Sequence, residues 1–313
     1  MTHPLVLGID IGGTNTSFGL VNRRGEITAK GSIATVGHDN VTDYFAALKA
    51  GMQPLIENAG KENIAGLGVG APNGNIFTGE IVFAPNLPWH GVIPIAKALS
   101  EALGLKVTLT NDANAAAIGE MMYGAAKGMK DFILVTLGTG VGSGFVANGE
   151  MIYGHDGFAG ELGHVIAVRD GRKCGCGRNG CLEAYASATG IVRSANEWLE
   201  QKSDDTLLRA NKGKITAKMI HEAAEQGDTF ALELFDYTGK ILGQTLADMV
   251  AITSPEAIIF FGGLAKSGKL LLEPVHKYME ANMLNIFQNK VALLQSALPD
   301  ADAAILGASA LAW

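Results

Sequence analysis

The first seventy residues alternate between strand-like and helix-like spacing of apolar positions. Apolar runs bounded by turn residues predict strands at LVLGIDIG, TSFGLVN, EITAKGSIAT and IAGLGVG, and apolar positions three or four residues apart predict a helix from about Val41 to Asn58. A helix over residues 92–103, the strand KVTLT and a helix in NDANAAAIGEMMYG follow, with Asn111 or Asp112 as the N-cap. This alternation predicts an α/β fold with a mainly parallel sheet.

The opening pattern then repeats. FILVTLGTGVGSGFVANGE has the same order as LVLGIDIGGTNTSFGLVNRRGE, namely an apolar strand, a polar Gly/Thr turn and a second strand. We therefore expect two related α/β domains, over residues 1–115 and 116–300, with an apolar helix over about 301–313 that packs back onto the first. Apart from the strand AIIFFGG, the C-terminal third is predicted to be mostly helical.

Composition narrows the class of protein. The chain has 313 residues, 48% of them hydrophobic and 18% charged, a net charge of −7, and no basic run longer than Arg23-Arg24. These features argue against a nucleic-acid or membrane-surface partner. The start MTHPLVLGID lacks a basic region, and no apolar run approaches the roughly 20 residues of a membrane helix. We expect a soluble cytoplasmic protein without a disulfide framework, since its three cysteines cannot all pair.

The two Gly/Thr turns are candidate phosphate sites. Glycine permits positive φ and lets backbone N–H groups approach a ligand, while threonine adds a hydroxyl donor, although such turns are also common in proteins where they bind nothing. Asp10 ends the first strand, where it could hold Mg²⁺ through water or be only a polar strand end. The turn residues are Gly12, Gly13 and Thr14 in the first hairpin and Gly138, Thr139 and Gly140 in the second.

Known nucleotide-binding motifs do not match. In GTGVGSG, Ser143 stands where a dinucleotide motif has its last glycine, and in GLGVGA, Pro72 follows at once. GLAKSGKL has Leu270 in place of the Ser or Thr of a P-loop. The pattern therefore favours nucleotide binding outside both classes.

The three cysteines lie close together after a histidine, as His164-x9-Cys174-x-Cys176-x4-Cys181. One imidazole and three thiols form the ligand set of a closed, structural zinc site, and the alternative is three unconnected cysteines. If one ring nitrogen of His164 binds zinc, the other is left as a donor near Glu161 and Glu183. That cluster could bind hydroxyl groups, or the two glutamates could be the acid pair of a glycosidase, which leaves both turns unexplained.

These motifs together resemble the ROK family of repressors, open reading frames and kinases. GIDIGGTNTSFGLV and GTGVGSG are similar to its phosphate turns, GVGAPNGN and APNLPWHG to its sugar loops, NDANAAAIGE to its catalytic stretch, and ELGH with CGCGRNGCLE to its zinc-anchored sugar site. The resemblance covers nearly the whole chain. It implies an actin-like, hexokinase-like (ribonuclease H-like) fold of two α/β domains with the active site in the cleft between them, and often a homodimer.

The resemblance also implies roles for individual residues. Asp112 would be the general base of an ATP-dependent sugar kinase, and the alternative is that it serves only as an N-cap. Its place at a helix N-terminus predicts that it stays ionised. Asp10 would hold Mg²⁺. The residues implied to bind the sugar are Gly74, Asn86, Asn111, Asp112, Glu161, His164 and Glu183. Those implied to bind ATP are the six turn residues, near its phosphates, and Gly262 and Gly263, near its adenosine.

The implied reaction is transfer of phosphate from ATP to the 6-hydroxyl of a hexose, with glucose as the leading substrate. N-acetylhexosamine, mannose and fructose stay open as substrates, and a sugar sensor without catalysis is the alternative from another class. Asn15 replaces the Lys that many members have after the first Gly-Gly-Thr, and APNGN replaces their Pro-Gly pair. Because the first strand begins by about residue 5, no DNA-binding helix-turn-helix of the family's repressors is expected ahead of it.

Overall fold

The computed structural model describes residues 4–203, 205–299 and 302–313. Its longer strands are β1 (Leu5–Ile11), β2 (Asn15–Asn22), β3 (Ile27–Ala34), β4 (Ile64–Gly70), β8 (Val107–Thr110), β9 (Phe132–Leu137), β10 (Val141–Ala147), β12 (Ala257–Phe261) and β13 (Ala292–Gln295). The short strands are β5 (Gly74–Asn75), β6 (Glu80–Val82), β7 (Val92–Ile93) and β11 (Glu150–Met151).

The α-helices are α1 (Val41–Ala59), α2 (Ile95–Leu103), α3 (Asp112–Tyr123), α4 (Glu183–Ala186), α5 (Ala188–Gln201), α6 (Ala217–Glu225), α7 (Thr229–Thr253), α8 (Lys269–Asn282) and α9 (Ala303–Ala310). Short 3₁₀ turns lie at Lys61–Asn63, Leu162–His164, Arg209–Asn211 and Ala265–Ser267. Among the described residues, no helix combines the length and apolar character needed to cross a membrane.

The repeated sequence pattern corresponds to two sheets with the same arrangement. Their strand orders are β3-β2-β1-β4-β8 and β11-β10-β9-β12-β13. In each sheet the Gly/Thr hairpin is antiparallel, and its first strand pairs in parallel with a later strand of the chain. Helices pack on the sheets, which gives the predicted α/β fold. The sheets are mixed and not mainly parallel as predicted, because each contains an antiparallel hairpin beside its parallel strands.

Contacts divide the chain into two units. The first comprises the described residues of Met1–Met129 with Glu150–Gly160 and Ala297–Trp313, and the second comprises those of Lys130–Gly149 and Glu161–Ser296. The first boundary thus falls after Met129, beyond the predicted residue 115, because α3 packs against α9 and β4 of the first unit. Residues 300 and 301, at the predicted end of the second domain and start of the last helix, lie outside the described residues.

Helix α9 packs on the first sheet at glycines. A β-carbon at Gly8 of β1 or at Gly68 of β4 would collide with the backbone of α9. Gly119 of α3 and Gly307 of α9 face each other in the same way, since a β-carbon at Gly119 would lie 2.8 Å from the Gly307 Cα. These glycines let helix backbones approach the sheet and each other closely.

Two local predictions are wrong. Val92 and Ile93 form β7, and the helix predicted from residue 92 begins only at Ile95, because the segment pairs with β6 in a small sheet. The C-terminal third also contains the second strand β13, parallel to β12. β13 lacks the alternation of buried and exposed positions by which a short strand is recognised.

Candidate active site

Two aspartates lie at the carboxyl end of the first sheet. Asp10 of β1 is in register with Gly70 of β4, which is in register with Thr110 of β8, two residues before Asp112. A β-carbon at Gly70 would lie 3.9 Å from Oδ1 of Asp10 and 3.8 Å from the Cα of Asp112. The carboxyl ends of three parallel strands therefore bring both acids to one glycine, where open α/β sheets commonly bind ligands.

Both carboxyl groups are harder to ionise than an ordinary aspartate. Burial, followed by the charge of Asp112, raises the pKa of Asp10 to about 7. Desolvation also raises the pKa of Asp112, although that residue keeps solvent contact, and hydrogen bonds from backbone N–H groups, first that of Ala113, oppose the rise. The backbone hydrogen bonds expected at a helix N-terminus are present and favour the ionised form of Asp112, but desolvation is the larger influence on its pKa.

Asn111 is the N-cap of α3. Its Oδ1 accepts a hydrogen bond from the N–H of Asn114 at 2.7 Å, which selects Asn111 from the two predicted caps. This bond fixes where the helix starts and hence where Asp112 lies.

The loop that carries Asn86 lies against the first Gly/Thr turn. A β-carbon at Gly13 would be 2.6 Å from the carbonyl oxygen of Asn86, so only glycine fits there. The turn closes through a 3.0 Å hydrogen bond from the N–H of Gly12 to the Asn15 carbonyl, and Thr14 and Asn15 are exposed. The predicted phosphate turn and one predicted sugar residue therefore lie side by side.

Gly74 and its neighbour Asn73 make different contacts. A β-carbon at Gly74 would collide with the carbonyl of Thr110, so this loop packs against the strand that leads to Asn111. Asn73 takes a positive φ of 52° and donates to the carbonyls of Val82 at 3.0 Å and Phe83 at 3.3 Å. The side chain of Asn73 therefore closes its own loop.

In the second unit, the start of α5 holds the other Gly/Thr turn. The N–H of Ala188 donates to the Gly138 carbonyl at 2.9 Å, and the Thr189 hydroxyl donates to the Thr139 carbonyl at 2.7 Å. Gly262 follows β12 with φ 101°, and a β-carbon there would lie 2.7 Å from the carbonyl of Leu137. Gly262 and Gly263 therefore lie next to this turn.

Positive φ is not the reason for glycine in the two turns. Gly262 has a positive φ, but Gly12, Gly13, Gly138 and Gly140 do not. A β-carbon at Gly140 would lie 2.6 Å from Oε2 of Glu183, whereas one at Gly138 would meet no atom within 4 Å. The close approach of a neighbouring residue accounts for glycine at Gly13 and Gly140, whereas no steric contact requires it at Gly138.

The histidine and the three cysteines converge as their spacing predicts. One ligand atom from each of His164, Cys174, Cys176 and Cys181 lies within 4.8 Å of the other three. The Cys176 and Cys181 sulfurs are 3.6 Å apart, much farther than the roughly 2.05 Å of a disulfide and near the roughly 3.8 Å of two thiolates on one tetrahedral zinc. The donor set and its spacing fit a metal ion.

Arg178 supports this cluster from within the loop. It donates a hydrogen bond to the backbone carbonyl of His164. The Arg178 backbone N–H, and after it the guanidinium, lowers the pKa of the Cys176 thiol to about 6, whereas burial raises that of Cys174 to about 12. The thiolate is the form that binds metals, and Cys176 is the thiol that most readily takes it.

Glu183 joins the metal-binding cluster to the second Gly/Thr turn. Its Oε2 accepts from the N–H of Val141 at 3.4 Å and lies against Gly140. Its Oε1 accepts from the Cys174 thiol at 3.1 Å and lies 3.8 Å from Nδ1 of His164. Because Nδ1 faces the cysteines, Nε2 is the ring nitrogen left for other partners.

Arg172 anchors the cysteine loop and was missed from the sequence. Its guanidinium, 9% exposed, pairs with Glu197 at 2.5 Å and donates to the Ala184 carbonyl at 3.0 Å. The guanidinium also lies over the ring of Tyr185, 4.5 Å from the centroid, and the backbone N–H of Arg172 donates to the Tyr185 hydroxyl at 2.6 Å. Burial opposes ionisation of Glu197, but hydrogen bonds from Arg193 and Arg172 lower its pKa overall. No local spacing of Arg172 and Glu197 signals this pair.

The predicted site residues thus form two groups, each within its own unit. The first unit contains Asp10, Gly12, Gly13, Thr14, Gly74, Asn86, Asn111 and Asp112. The second contains Gly138, Thr139, Gly140, Glu161, His164, Cys174, Cys176, Cys181, Glu183, Gly262 and Gly263. Every member of each group lies in a turn, at a strand or helix end, or in the cysteine loop.

The chain is similar to known proteins over nearly its whole length. The family model described as "ROK family" matches residues 6–313. A glucokinase of Halalkalibacterium halodurans is 39% identical over 91% of this chain and 88% of its own, and an N-acetylmannosamine kinase of Shigella flexneri is 32% identical over 86% and 87%. The solved structure of a Streptomyces griseus ROK family glucokinase in complex with glucose and AMPPNP superposes with a TM-score of 0.79 at 33% identity, covering 97% of this chain and 98% of that one.

Proposed function

The chain belongs to the ROK family, and we propose that it transfers phosphate from ATP to the 6-hydroxyl of a hexose, with glucose as the main substrate. The observation that carries this proposal is the pair of carboxyl groups, Asp10 and Asp112, beside the Gly-Gly-Thr turn of the first unit. The fold is the actin-like, hexokinase-like fold of the similar ROK kinases.

Asp112 is the general base in this proposal. A sugar hydroxyl is a weak nucleophile at neutral pH, and a carboxylate within reach accepts its proton as the bond to phosphorus forms. Desolvation raises the pKa of Asp112 towards the working pH, which makes it a better proton acceptor than an ordinary aspartate. The cap at Asn111 fixes the backbone from which the base projects.

The two Gly/Thr turns would hold the phosphates of ATP. Gly138 is open on the side where a β-carbon would point, and Thr14 is exposed, so both can be approached by phosphate oxygens. Asp10 would hold Mg²⁺ through water. A divalent cation would neutralise the charge of this desolvated carboxyl group and of the second acid next to it. Bound Mg²⁺ would neutralise charge on the phosphates.

The second unit would bind the sugar through a cluster built on zinc. We assign Cys174, Cys176, Cys181 and Nδ1 of His164 as the ligands of a structural zinc, with no open position for a substrate. Nε2 of His164, Glu161 and Glu183 would bind sugar hydroxyls together with Asn86 and Asn111. Glu183 supports this assignment, because it lies between the cysteines and Gly140.

The substrate is the finer part of the proposal. Similarity to glucokinases makes glucose the first candidate substrate of this chain. Similarity to an N-acetylmannosamine kinase makes N-acetylhexosamines the second candidate. An ADP-release assay over glucose, mannose, fructose, N-acetylglucosamine and N-acetylmannosamine tests both. We expect the highest kcat/KM with glucose. Turnover with none of the sugars would contradict the proposed activity and favour the non-catalytic sensor.

The homodimer, implied by the resemblance, and the cytoplasmic location, expected from the composition and the N-terminal sequence, stay predictions. Light scattering after size-exclusion chromatography checks the dimer, with about twice the mass of one chain as the expected result.

A further inference from the structure

One short segment leaves the second unit and joins the first. The strap, residues Glu150–Gly160, belongs to the first unit, while the residues on both sides of it belong to the second. Gly149 and Gly160 at its two ends have positive φ, 81° and 95°. Glycine permits these sharp changes of direction, so the strap is defined by turns at both ends.

Asn75 ties the strap to the loop after Gly74. Its side chain is 3% exposed, and its Nδ2 donates to the carbonyl of Asp156 at 2.6 Å. Its Oδ1 accepts from the N–H groups of Phe77 at 2.9 Å and Thr78 at 3.3 Å. The acceptor side of the amide therefore serves its own loop, and the donor side serves the strap.

Other contacts also connect the strap to the loop after Gly74. Gly157 has φ 87°, and a β-carbon there would lie 2.7 Å from Oδ1 of Asn75, so the strap backbone packs directly on the amide. The rings of Phe77 and Tyr153 meet edge to face with centroids 6.2 Å apart. The side chain of Tyr153 also interacts with that of Thr110, the residue before Asn111, which opposes the rise that burial causes in the pKa of Tyr153. The strap is thus fixed both to the loop and to the strand that leads to the proposed base.

We infer that Asn75 is a positioning residue for sugar binding, which acts by holding the strap from which Glu161 and His164 follow in the chain. This inference rests on the proposed function, since it is the proposed sugar role of Glu161 and His164 that makes the strap matter. Glu161 is the next residue after Gly160, and the N–H of His164 donates to its carbonyl at 3.0 Å. Loosening the strap frees the backbone on one side of both residues, and sugar affinity falls.

The substitution Asn75→Asp isolates the strap bond. Aspartate keeps an oxygen to accept from Phe77 and Thr78, but it loses the donor to Asp156 and turns an oxygen towards that carbonyl. Asn73→Asp is the matched control, because it loses the same kind of donor within the same loop while its partners, Val82 and Phe83, lie outside the strap.

Kinetics and hydrogen exchange are measured on the full chain. For Asn75→Asp we expect the KM for glucose to rise about tenfold, as for one lost buried hydrogen bond, and the KM for ATP to stay within about twofold. The amides of Phe158 and Ala159, which are bonded within the strap, should exchange faster than in wild type. In Asn73→Asp they should exchange at the wild-type rate.

The outcomes separate the two claims. If wild type turns over no sugar, the proposed activity fails, and unchanged exchange in Asn75→Asp would still overturn the role of Asn75. If wild type is active and Asn75→Asp keeps its glucose KM within about twofold, only the inference about the strap is wrong. Equal rises of the glucose and ATP KM values would indicate general loss of structure and would also overturn it.

Discussion

The two Gly/Thr hairpins have the same frame but carry different chemistry. Both join the first two strands of a five-stranded sheet with the same order, and both place a proposed ligand residue against a turn glycine. At Gly13 that neighbour is the backbone carbonyl of Asn86, and at Gly140 it is the carboxylate of Glu183, each 2.6 Å from where a β-carbon would be. The repeat therefore preserves the space beside the turn and not the group that fills it.

The elements that follow the hairpins account for the difference. In the first unit, parallel strands end at Asp10 and at the cap of α3, where desolvated carboxyl groups collect. In the second, the loop between β11 and α4 carries the histidine and the cysteines, and Glu183 joins that loop to the turn. We interpret this as a partial division of tasks, with proton transfer and some of the proposed sugar contacts in the first unit and the metal-supported sugar contacts in the second.

The strongest test of this division is Asp112→Asn. We expect kcat to fall by about 10²-fold or more, because asparagine keeps an acceptor for the Ala113 N–H but cannot take a proton. The midpoint of thermal unfolding should not fall, and steady-state kinetics with circular dichroism measure both. Asp43→Asn, in the first turn of α1, is the control and should keep the wild-type kcat. Near-normal turnover in Asp112→Asn would remove Asp112 from its role.

Removing the metal tests the other side of the comparison. Elemental analysis of the purified chain should find about one zinc per chain, and Cys181→Ser or chelation should lower that content. We expect the glucose KM to rise by about tenfold or more, because without the metal His164 and Glu183 are no longer held in place, while the ATP KM changes less. A protein that contains no zinc and does not respond to chelation would contradict the structural metal site.

Much of this site follows from local sequence. The strand-turn-strand pattern predicts both hairpins, and the spacing of His164 and the three cysteines predicts that they converge, because both depend on residues close in the chain. The bond from Asn75 to Asp156, the pair of Arg172 and Glu197, and the place of Glu183 against Gly140 join residues far apart. Such pairs depend on how the elements pack, which hydrophobic periodicity does not encode.

Glycines of the two turns should respond to an added methyl group according to what each one faces. Gly13→Ala and Gly140→Ala displace Asn86 and Glu183, so the glucose KM should rise about tenfold. Gly138→Ala meets no protein atom, and its methyl group would point into the space proposed for phosphate, so the ATP KM should rise instead. Initial-rate kinetics with each substrate varied measure this contrast. If all three variants changed the same KM, the contrast between the glycines that face a proposed sugar residue and the open Gly138 would be lost.

The smallest expected effect concerns the folding stability that the chain loses when the buried carboxyl group of Asp10 ionises. Because its folded-state pKa of about 7 lies above its ordinary value of 3.8, the folded protein holds the proton more tightly than the unfolded chain. The stabilisation from this proton is complete below pH 3.8 and is lost as the pH rises through about 7. Without Mg²⁺, Asp10→Asn should therefore unfold several degrees higher than wild type at pH 8 and show a smaller gain at pH 5.

Calorimetry at the two pH values measures this difference, with Asp39→Asn as an exposed control for the change of charge. The same Asp10→Asn variant should lose most of its activity if Asp10 holds Mg²⁺. Higher stability together with lower activity would mean that the first unit keeps a destabilising carboxylate for its chemistry. An equal gain in stability at both pH values would show that the ionisation of Asp10 is not its source, and the contrast with the second unit would then rest on Asp112 alone.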